Sequence, residues 1–278
     1  MSGTLFVVAT PIGNLEDLSP RARQTLADVD LIAAEDTRHT GRLLSHFSIK
    51  TSLFALHDHN EDKVVESLIS DLADGKSIAL VSDAGTPLIS DPGYRLVSTA
   101  HSRGIRVVPV AGPSAATAAL SAAGLPTDRY CFEGFLPAKQ KARKDRLANL
   151  ASETRTIVLY ESVHRIRACL ADLVDEFGHS RNAFLGRELT KMHEQCVQAT
   201  LGELLRQLDD GSINAKGEFV IIVTGNDDEP TSSLDIDCLL LELMDRLPGK
   251  EVAKIASRVT GTKRNELYDR ILQLKDRE

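Results

Sequence analysis

Residues Ile78–Val97 read IALVSDAGTPLISDPGYRLV, and the fold is decided by how this stretch is read. It opens on a short apolar run, Ile78-Ala-Leu-Val81, without the alternation of a half-solvated strand. A strand buried on both faces is therefore expected. The run stops at Ser82-Asp83-Ala84-Gly85-Thr86-Pro87. Gly and Pro impose a turn there, and Gly85 lets backbone come close to a ligand with no Cβ in the way. A second turn, Ser90-Asp91-Pro92-Gly93, leads into a helical pattern over Tyr94–Ser102. Strand, tight polar loop, helix is the arrangement in which open α/β sheets hold ligands, beyond the carboxyl ends of strands. Loop composition alone describes an ordinary surface connection. Two Asp-bearing turns directly behind a buried strand favour a site.

The neighbouring sequence repeats the pattern. Leu5–Ala9 is strand-like and ends at Thr10-Pro11-Ile12-Gly13-Asn14. Ser19-Pro20 reads as an N-cap with proline at N1, opening a helix through Val29. Leu31–Ala34 reads as a strand that closes on the loop Glu35–His39. Asn60 is expected to cap a helix whose Val64, Val65, Leu68, Ile69 and Leu72 keep helical spacing. Arg106–Val110 is a further strand, followed by Ala111-Gly112-Pro113-Ser114 and a small-residue helix over Ala115–Ala123. Strands alternating with helices predict a mainly parallel sheet in residues 1–124. Its strand ends gather the loops at 10–14, 35–39, 82–87 and 111–115.

A second α/β domain is predicted over 125–226. Phe132–Pro137 leads into Ala138-Lys-Gln-Lys-Ala-Arg-Lys-Asp-Arg146, which holds five basic residues and one acid. Strands are expected over Thr156–Tyr160, Asn182–Leu189 and Phe219–Val223, with helices over Val163–Phe177 and near Leu204. Asn226–Ser233 reads as a polar linker. Residues 234–278 carry three helical patterns, with Thr260-Gly261 as the turn of a helix-turn-helix. Lys250, Lys254, Arg258, Lys263 and Arg264 make this tail locally basic. The pattern alone suits a small packing module as well as a nucleic-acid contact.

Composition sets the bounds. A chain of 278 residues with 42% hydrophobic and 26% charged residues is ordinary for a soluble globular protein of two or more domains. No apolar run approaches the roughly 20 residues of a membrane span, and the first residues read as a strand rather than a signal peptide. Cys131, Cys169, Cys196 and Cys238 are scattered without a CxxC pair, which argues against structural zinc and suits a reducing cytoplasm. The net charge of −7 excludes a uniformly basic surface but leaves room for a local basic patch. There is no GxGxxG. Gly75-Lys76-Ser77 has only the tail of a P-loop, with Ser70 where its first glycine belongs. His193-Glu194 lacks the second histidine of a zinc-protease helix, and His57-Asp58-His59 reads as a solvated loop rather than a metal site.

Seven collinear stretches carry a resemblance. They are LFVVATPIGNLEDLSPRA (5–22), AEDTRHTGRLL (34–44), LVSDAGTPLISDPGYRLV (80–97), VPVAGPSAATAALSAAGLP (108–126), FEGFLP (132–137), TIVLYESVHRI (156–166) and RELTKMHE (187–194). Together they resemble the bacterial small-subunit ribosomal RNA cytidine 2′-O-methyltransferases, a branch of the tetrapyrrole methylase superfamily, and the helical tail is similar to the one that branch carries. Ser82-Asp83-Ala84 stands where other branches have Gly-Asp-Pro, a departure shared with the rRNA branch.

The resemblance implies two α/β domains, S-adenosylmethionine folded into the cleft between them, and a cytoplasmic homodimer. Its substrate would be small-subunit (16S) rRNA within the assembled small ribosomal subunit. Carried over by motif, the cofactor should meet Pro11, Ile12, Asp83, Gly85, Thr86, Ser114 and Ala115, with Tyr160 and Glu161 on the opposite wall. Transfer to a ribose hydroxyl needs alignment and a proton acceptor. Glu35, Asp36, Glu161 and Glu188 are the carboxylates expected to face the cleft, with Glu35 and Glu188 ranked first as catalytic. Arg38, Arg165 and Arg187 stand beside these acids, as pairing partners or phosphate clamps. A basic arm of Lys139, Lys141, Arg143, Lys144 and Arg146 is expected to contact rRNA phosphates, helped by Lys263 and Arg264. No metal is expected.

Two other functions stay open on the residues. A sister methylase acting on a tetrapyrrole precursor would share the cleft without needing two basic segments. A non-catalytic RNA-binding regulator would need the basic tail but not the Ser82–Pro87 loop.

Overall fold

The computed structural model describes residues 2–57, 60–226 and 236–275. The chain divides into two compact units, Met1–Gly225 and Asn226–Glu278.

The first unit holds two five-stranded sheets. In the first, β1 (Thr4–Val8), β2 (Leu31–Ala34), β3 (Leu53–Ala55), β4 (Ile78–Val81) and β5 (Arg106–Val110) lie in the order β3-β2-β4-β1-β5. Every pairing is parallel, as the βα alternation predicts. Strand β4 is buried at all four positions, and its side chains alternate between two cores. Ile78 and Leu80 join Leu68, Leu72 and Leu96 on one face. Ala79 and Val81 join Ala22, Leu26 and Leu44 on the other. That two-sided burial is why the run shows no polar alternation. The helices are α1 (Pro20–Asp28), α2 (Thr37–His46), α3 (Glu61–Ala73), α4 (Tyr94–Ser102) and α5 (Ala115–Ala122). The Ser19 hydroxyl caps α1 by accepting from Ala22 N at 3.0 Å. Asn60 stands at the start of α3 but does not cap it; its Oδ1 accepts from His57 N at 2.9 Å instead.

The second sheet is mixed rather than parallel. Its strands β6 (Tyr130–Phe135), β7 (Thr156–Ser162), β8 (Asn182–Arg187), β9 (Gln195–Thr200) and β10 (Glu218–Val223) lie in the order β6-β7-β10-β8-β9. Only β6 and β7 run parallel. Helices α6 (Gln140–Leu150), α7 (Ile166–Phe177) and α8 (Leu201–Asp209) cover one face through Leu147, Leu170 and Leu204. The other face, with Val158, Phe184, Val220 and Ile222, receives Ala116, Ala119 and Leu120 of α5. Helix α5 therefore joins the two sheets, and its small residues let it lie close against the second.

Several elements depart from the sequence reading. Helix α2 begins at Thr37, where a loop to His39 was expected, because the Asp36 side chain caps it by accepting from Arg38 N at 2.8 Å. Strand β3 has only three residues. Strand β9 is a half-solvated edge of mixed polarity, and β6 contains Gly134 at a register shift with φ +62°. None of these three presents the apolar run that marks a strand. Helix α7 starts at Ile166 rather than Val163, because β7 runs on to Ser162.

The second unit packs α9 (Ile236–Met244), α10 (Gly249–Thr260) and α11 (Arg264–Lys275) around Leu240, Val252, Ala256, Leu267 and Ile271. Gly261 ends α10 at φ +72°, a left-handed position suited to glycine. Most of the expected linker, from Asp227 to Ser233, lies outside the described residues, as do Asp58, His59 and the Cys238 side chain. Among the described residues no helix is long and apolar enough to cross a membrane. No cluster of three His, Cys, Asp or Glu side chains among them is arranged to hold a metal.

Candidate active site

Within the first unit, the strand-end loops of the parallel sheet face β7 and β10 of the mixed sheet across a cavity of about 380 Å³. The loops are tied together before any ligand arrives. Thr10 N donates to Gly85 O at 2.9 Å and Gly85 N to Thr10 O at 3.0 Å, bridging the turns after β1 and β4. Gly85 holds φ +85°, and a Cβ there would meet Ile12 Cγ2 at 3.3 Å. Asp36 N donates to Asp83 Oδ1 at 3.0 Å, which fixes the turn after β2 to the same loop. Thr86 Oγ1 donates to Pro113 O at 3.0 Å and brings in the turn after β5. All four predicted loops converge.

The residues carried over by motif are brought to one place. Ile12, Asp83, Gly85, Thr86, Ser114 and Ala115 line the cavity, and Tyr160 and Glu161 face them from β7. Pro11 instead faces an adjoining hollow of about 290 Å³, which shares Ile12, Asp83 and Ala84 with the cavity. The Tyr160 ring packs edge-on against Phe132 and Phe135, at centroid distances of 5.0 and 5.6 Å. Its phenolic oxygen accepts from Ala116 N at 3.1 Å. Burial pushes the phenol above its ordinary pKa, against the pull of the Ala116 and Ser114 hydrogen bonds, so it stays neutral near pH 7. Sequence reasoning had not assigned Ile89, Ser90, Phe135, Gly186, Phe219 and Val220 to this wall. Ser90 and Phe135 belong to quoted motifs and were within reach. Phe219 and Val220 enter only because β10 sits centrally in the second sheet, which nothing local in the sequence reveals.

The acids separate by partner. Asp36 caps α2 and binds the Arg38 guanidinium at 2.9 Å, which holds its carboxyl at about 2. Glu161 is 2% exposed. Its carboxylate is gripped by Arg165 at 2.7 and 3.0 Å and by Ser162 N at 2.7 Å. Glu188 receives Lys191 Nζ and Glu218 N, each at 2.9 Å. Burial pushes its carboxyl up, but these donors and Arg187 outweigh burial and hold it below the ordinary range. Glu188 is absent from the cavity lining, whereas Glu35 is part of it.

The expected RNA contacts split in the same way. Arg143 does not belong to a surface arm. It is 3% exposed, and its Nε donates to the buried Asp172 at 2.7 Å. The sequence of α6 puts Arg143 and Leu147 on one inward face, four residues apart. Arg187 is also buried, donating to the carbonyls of Lys216 at 2.5 Å and His193 at 2.8 Å, so it braces the loop after β8 rather than clamping phosphate. Arg165 is committed to Glu161. Lys144 and Arg146 pair with Asp175 and Glu133 at the surface. Lys139 and Lys141 are exposed, as is Arg38, whose side chain is 88% exposed. In the helical tail, Lys263 and Arg264 are exposed beside a shallow hollow that Arg264 lines with Lys250 and Tyr268.

Known proteins match this chain over nearly its full length. A family model described as Tetrapyrrole (Corrin/Porphyrin) Methylases matches residues 4–205, and one described as the RsmI C-terminal HTH domain matches residues 230–275. Ribosomal RNA small subunit methyltransferase I of Xylella fastidiosa (strain Temecula1) is 54% identical over 267 residues, 96% of this chain and 98% of that protein. The protein of the same name from Escherichia coli O157:H7 is 52% identical over 275 residues, 98% of this chain and 95% of that one. Among solved structures, uroporphyrin-III C-methyl transferase from Thermus thermophilus, complexed with S-adenyl homocysteine, is similar at a TM-score of 0.54 and 16% identity. The match covers 80% of this chain and 97% of that one. At that identity the likeness is one of fold.

Proposed function

Since this chain belongs to the tetrapyrrole methylase family, in its small-subunit ribosomal RNA methyltransferase branch, we propose that it methylates the ribose 2′-hydroxyl of a cytidine in 16S rRNA. The observation that carries this reading is the near full-length identity, tail included, to relatives named for small-subunit rRNA methylation. The same reading takes residues 1–124 and 125–226 as the two domains flanking the cleft. It takes the assembled small subunit as the substrate, and a cytoplasmic homodimer as the working form.

The protein is an S-adenosylmethionine-dependent methyltransferase, and the cavity suits that cofactor. Its volume of about 380 Å³ falls in the range of small-molecule sites, about 300–1,000 Å³. Its wall combines apolar Ile12, Ile89 and Leu189 with polar Asp83, Thr86 and Ser114, a set matched to a flat base joined to a charged amino acid. The residues to hold it are those of the turns after β1, β4 and β5, with Tyr160 opposite. The amino-terminal end of α5 adds a partial positive charge for a carboxylate. When bound, the cofactor supplies an electrophilic methyl group on a positively charged sulfur, so the leaving group needs no acid.

The chain's own task is alignment and handling of one proton. The cross-linked loops hold their geometry in advance, so little ordering remains to be done when the ribose arrives. Glu35 lines the cavity, whereas Glu188 does not, and this supports Glu35 as the carboxylate that accepts the hydroxyl proton. The test is mass mapping of rRNA from cells with and without the gene. Loss of one ribose methyl on a small-subunit cytidine, restored by the gene, is expected. An unchanged methylation map would refute the assignment.

A further inference from the structure

The adjoining hollow is lined by Arg42, an exposed cation whose side chain is unpaired among the described residues. We propose that it seats the phosphodiester next to the target ribose, with Arg42 as its principal ligand and His39 beside it. This rests on the reading that the substrate is RNA. The hollow, about 290 Å³, lies between α2 and the turns after β1 and β4. Ile12, Asp83, Ala84 and Glu218 line both it and the cofactor cavity, so a group held here borders the place where the methyl is delivered.

Arg42 differs from the neighbouring cations in its pairing. Nearby Arg38, Arg165 and Lys191 are spent on Asp36, Glu161 and the Glu188–Glu218 pair. The carboxylates that share the wall are also engaged, Asp83 by Asp36 N and Glu218 by Lys191 Nζ. Among the described residues no hydrogen bond or ion pair is made by the side chain of Arg42 or His39. They stand three residues apart on α2, hence on one face of it, and both line the hollow. Both residues are exposed, so their side chains are open to a ligand entering the hollow.

The chemistry of RNA supplies the rest. The 2′-oxygen sits on the carbon next to the one that carries the 3′-phosphodiester, so fixing that phosphate fixes the reacting oxygen within a few bonds. A guanidinium can take two phosphate oxygens at once, which sets orientation as well as position. Glu35 follows directly on β2 and Arg42 lies on α2, so one short segment carries both the proton acceptor and the phosphate clamp. Arg42 is thus a positioning residue, acting on the substrate backbone rather than on the transferred group.

The test compares Arg42→Gln, Arg42→Lys and His39→Asn with the wild type, by steady-state methylation of purified small subunits, binding across a salt series, and calorimetry with S-adenosylmethionine. Arg42→Gln should raise the KM for small subunits about tenfold or more, as expected for losing a hydrogen bond to a charged group. It should lower the salt slope of binding by about 0.7–1 and leave cofactor affinity unchanged. Arg42→Lys should keep the slope and recover part of the KM, and His39→Asn should give a smaller rise. An active wild type with an Arg42→Gln variant of unaltered KM and slope would overturn the phosphate seat alone. Weakened cofactor affinity in that variant would also overturn it, assigning the hollow to the cofactor. A wild type that methylates no RNA would instead remove the reading beneath it.

Discussion

Glu188 and Glu35 are both glutamates just past the end of a strand, yet their surroundings give them different work. Glu188 sits at φ +49°, and Glu218 N and Lys191 Nζ converge on one of its oxygens, fixing the start of the loop that carries Lys191. Its folded-state pKa lies below the ordinary 4.5, so the pairing adds stability above that value and loses it as pH falls through the lower, folded-state value. Glu188→Gln should therefore cost about 1 kcal/mol at neutral pH. The gap from wild type should close in acid, once pH falls below the lowered folded-state value. Thermal melts across pH read this directly; a gap that persists unchanged into strong acid would show that the ion pair is not the cause. Glu35→Gln should slow methyl transfer by about 10²–10⁴-fold with cofactor affinity intact. If single-turnover rates match wild type, the proton acceptor lies elsewhere. At this scale the sequence was partly legible. Motif position placed both glutamates near the cleft, but tertiary structure decides that Glu35 lines the cavity while Glu188 does not, and Glu218 N reaches Glu188 through the pairing of β8 with β10.

Helix α6 shows what element-scale reading can miss. Five cations in nine residues look like one solvated arm, but a helix turns each residue by about 100°, so they cannot all face the same way. Arg143 points inward to Asp172 of α7, while Lys139 and Lys141 remain exposed. Breaking a buried pair leaves an uncompensated charge, so Arg143→Ala should destabilise by about 3–5 kcal/mol. Lys141→Ala should stay within about 0.5 kcal/mol and reduce RNA binding instead. Urea denaturation and a salt series on the two variants separate the roles, and a stable Arg143→Ala protein with weakened RNA binding would restore the arginine to the arm. Strands β1, β2, β4 and β5 of the parallel sheet were legible, β4 most plainly, because burial on both faces writes a continuous apolar run. Strands β3, β6 and β9 were not, being respectively very short, interrupted by Gly134, and half polar at a sheet edge.

For the whole molecule, alternation of strands and helices revealed the first sheet and its gathering of loops, because consecutive βα units admit little choice of topology. The second sheet's order, β6-β7-β10-β8-β9, depends on pairings distant in sequence, such as β7 with β10, and no local signal encodes them. The cavity wall contributed by β10 was hidden for the same reason. The tail's three helices and the Gly261 turn were legible, since a helix-turn-helix is local. What the chain does depends on both sheets and on the RNA they meet. The most direct measurement is transfer of labelled methyl from S-adenosylmethionine to purified small subunits, naked rRNA and a corrin precursor, followed by nuclease digestion and nucleoside analysis. Label on the 2′-oxygen of a single cytidine from small subunits is the predicted result; label on a base, or on the corrin alone, would contradict it.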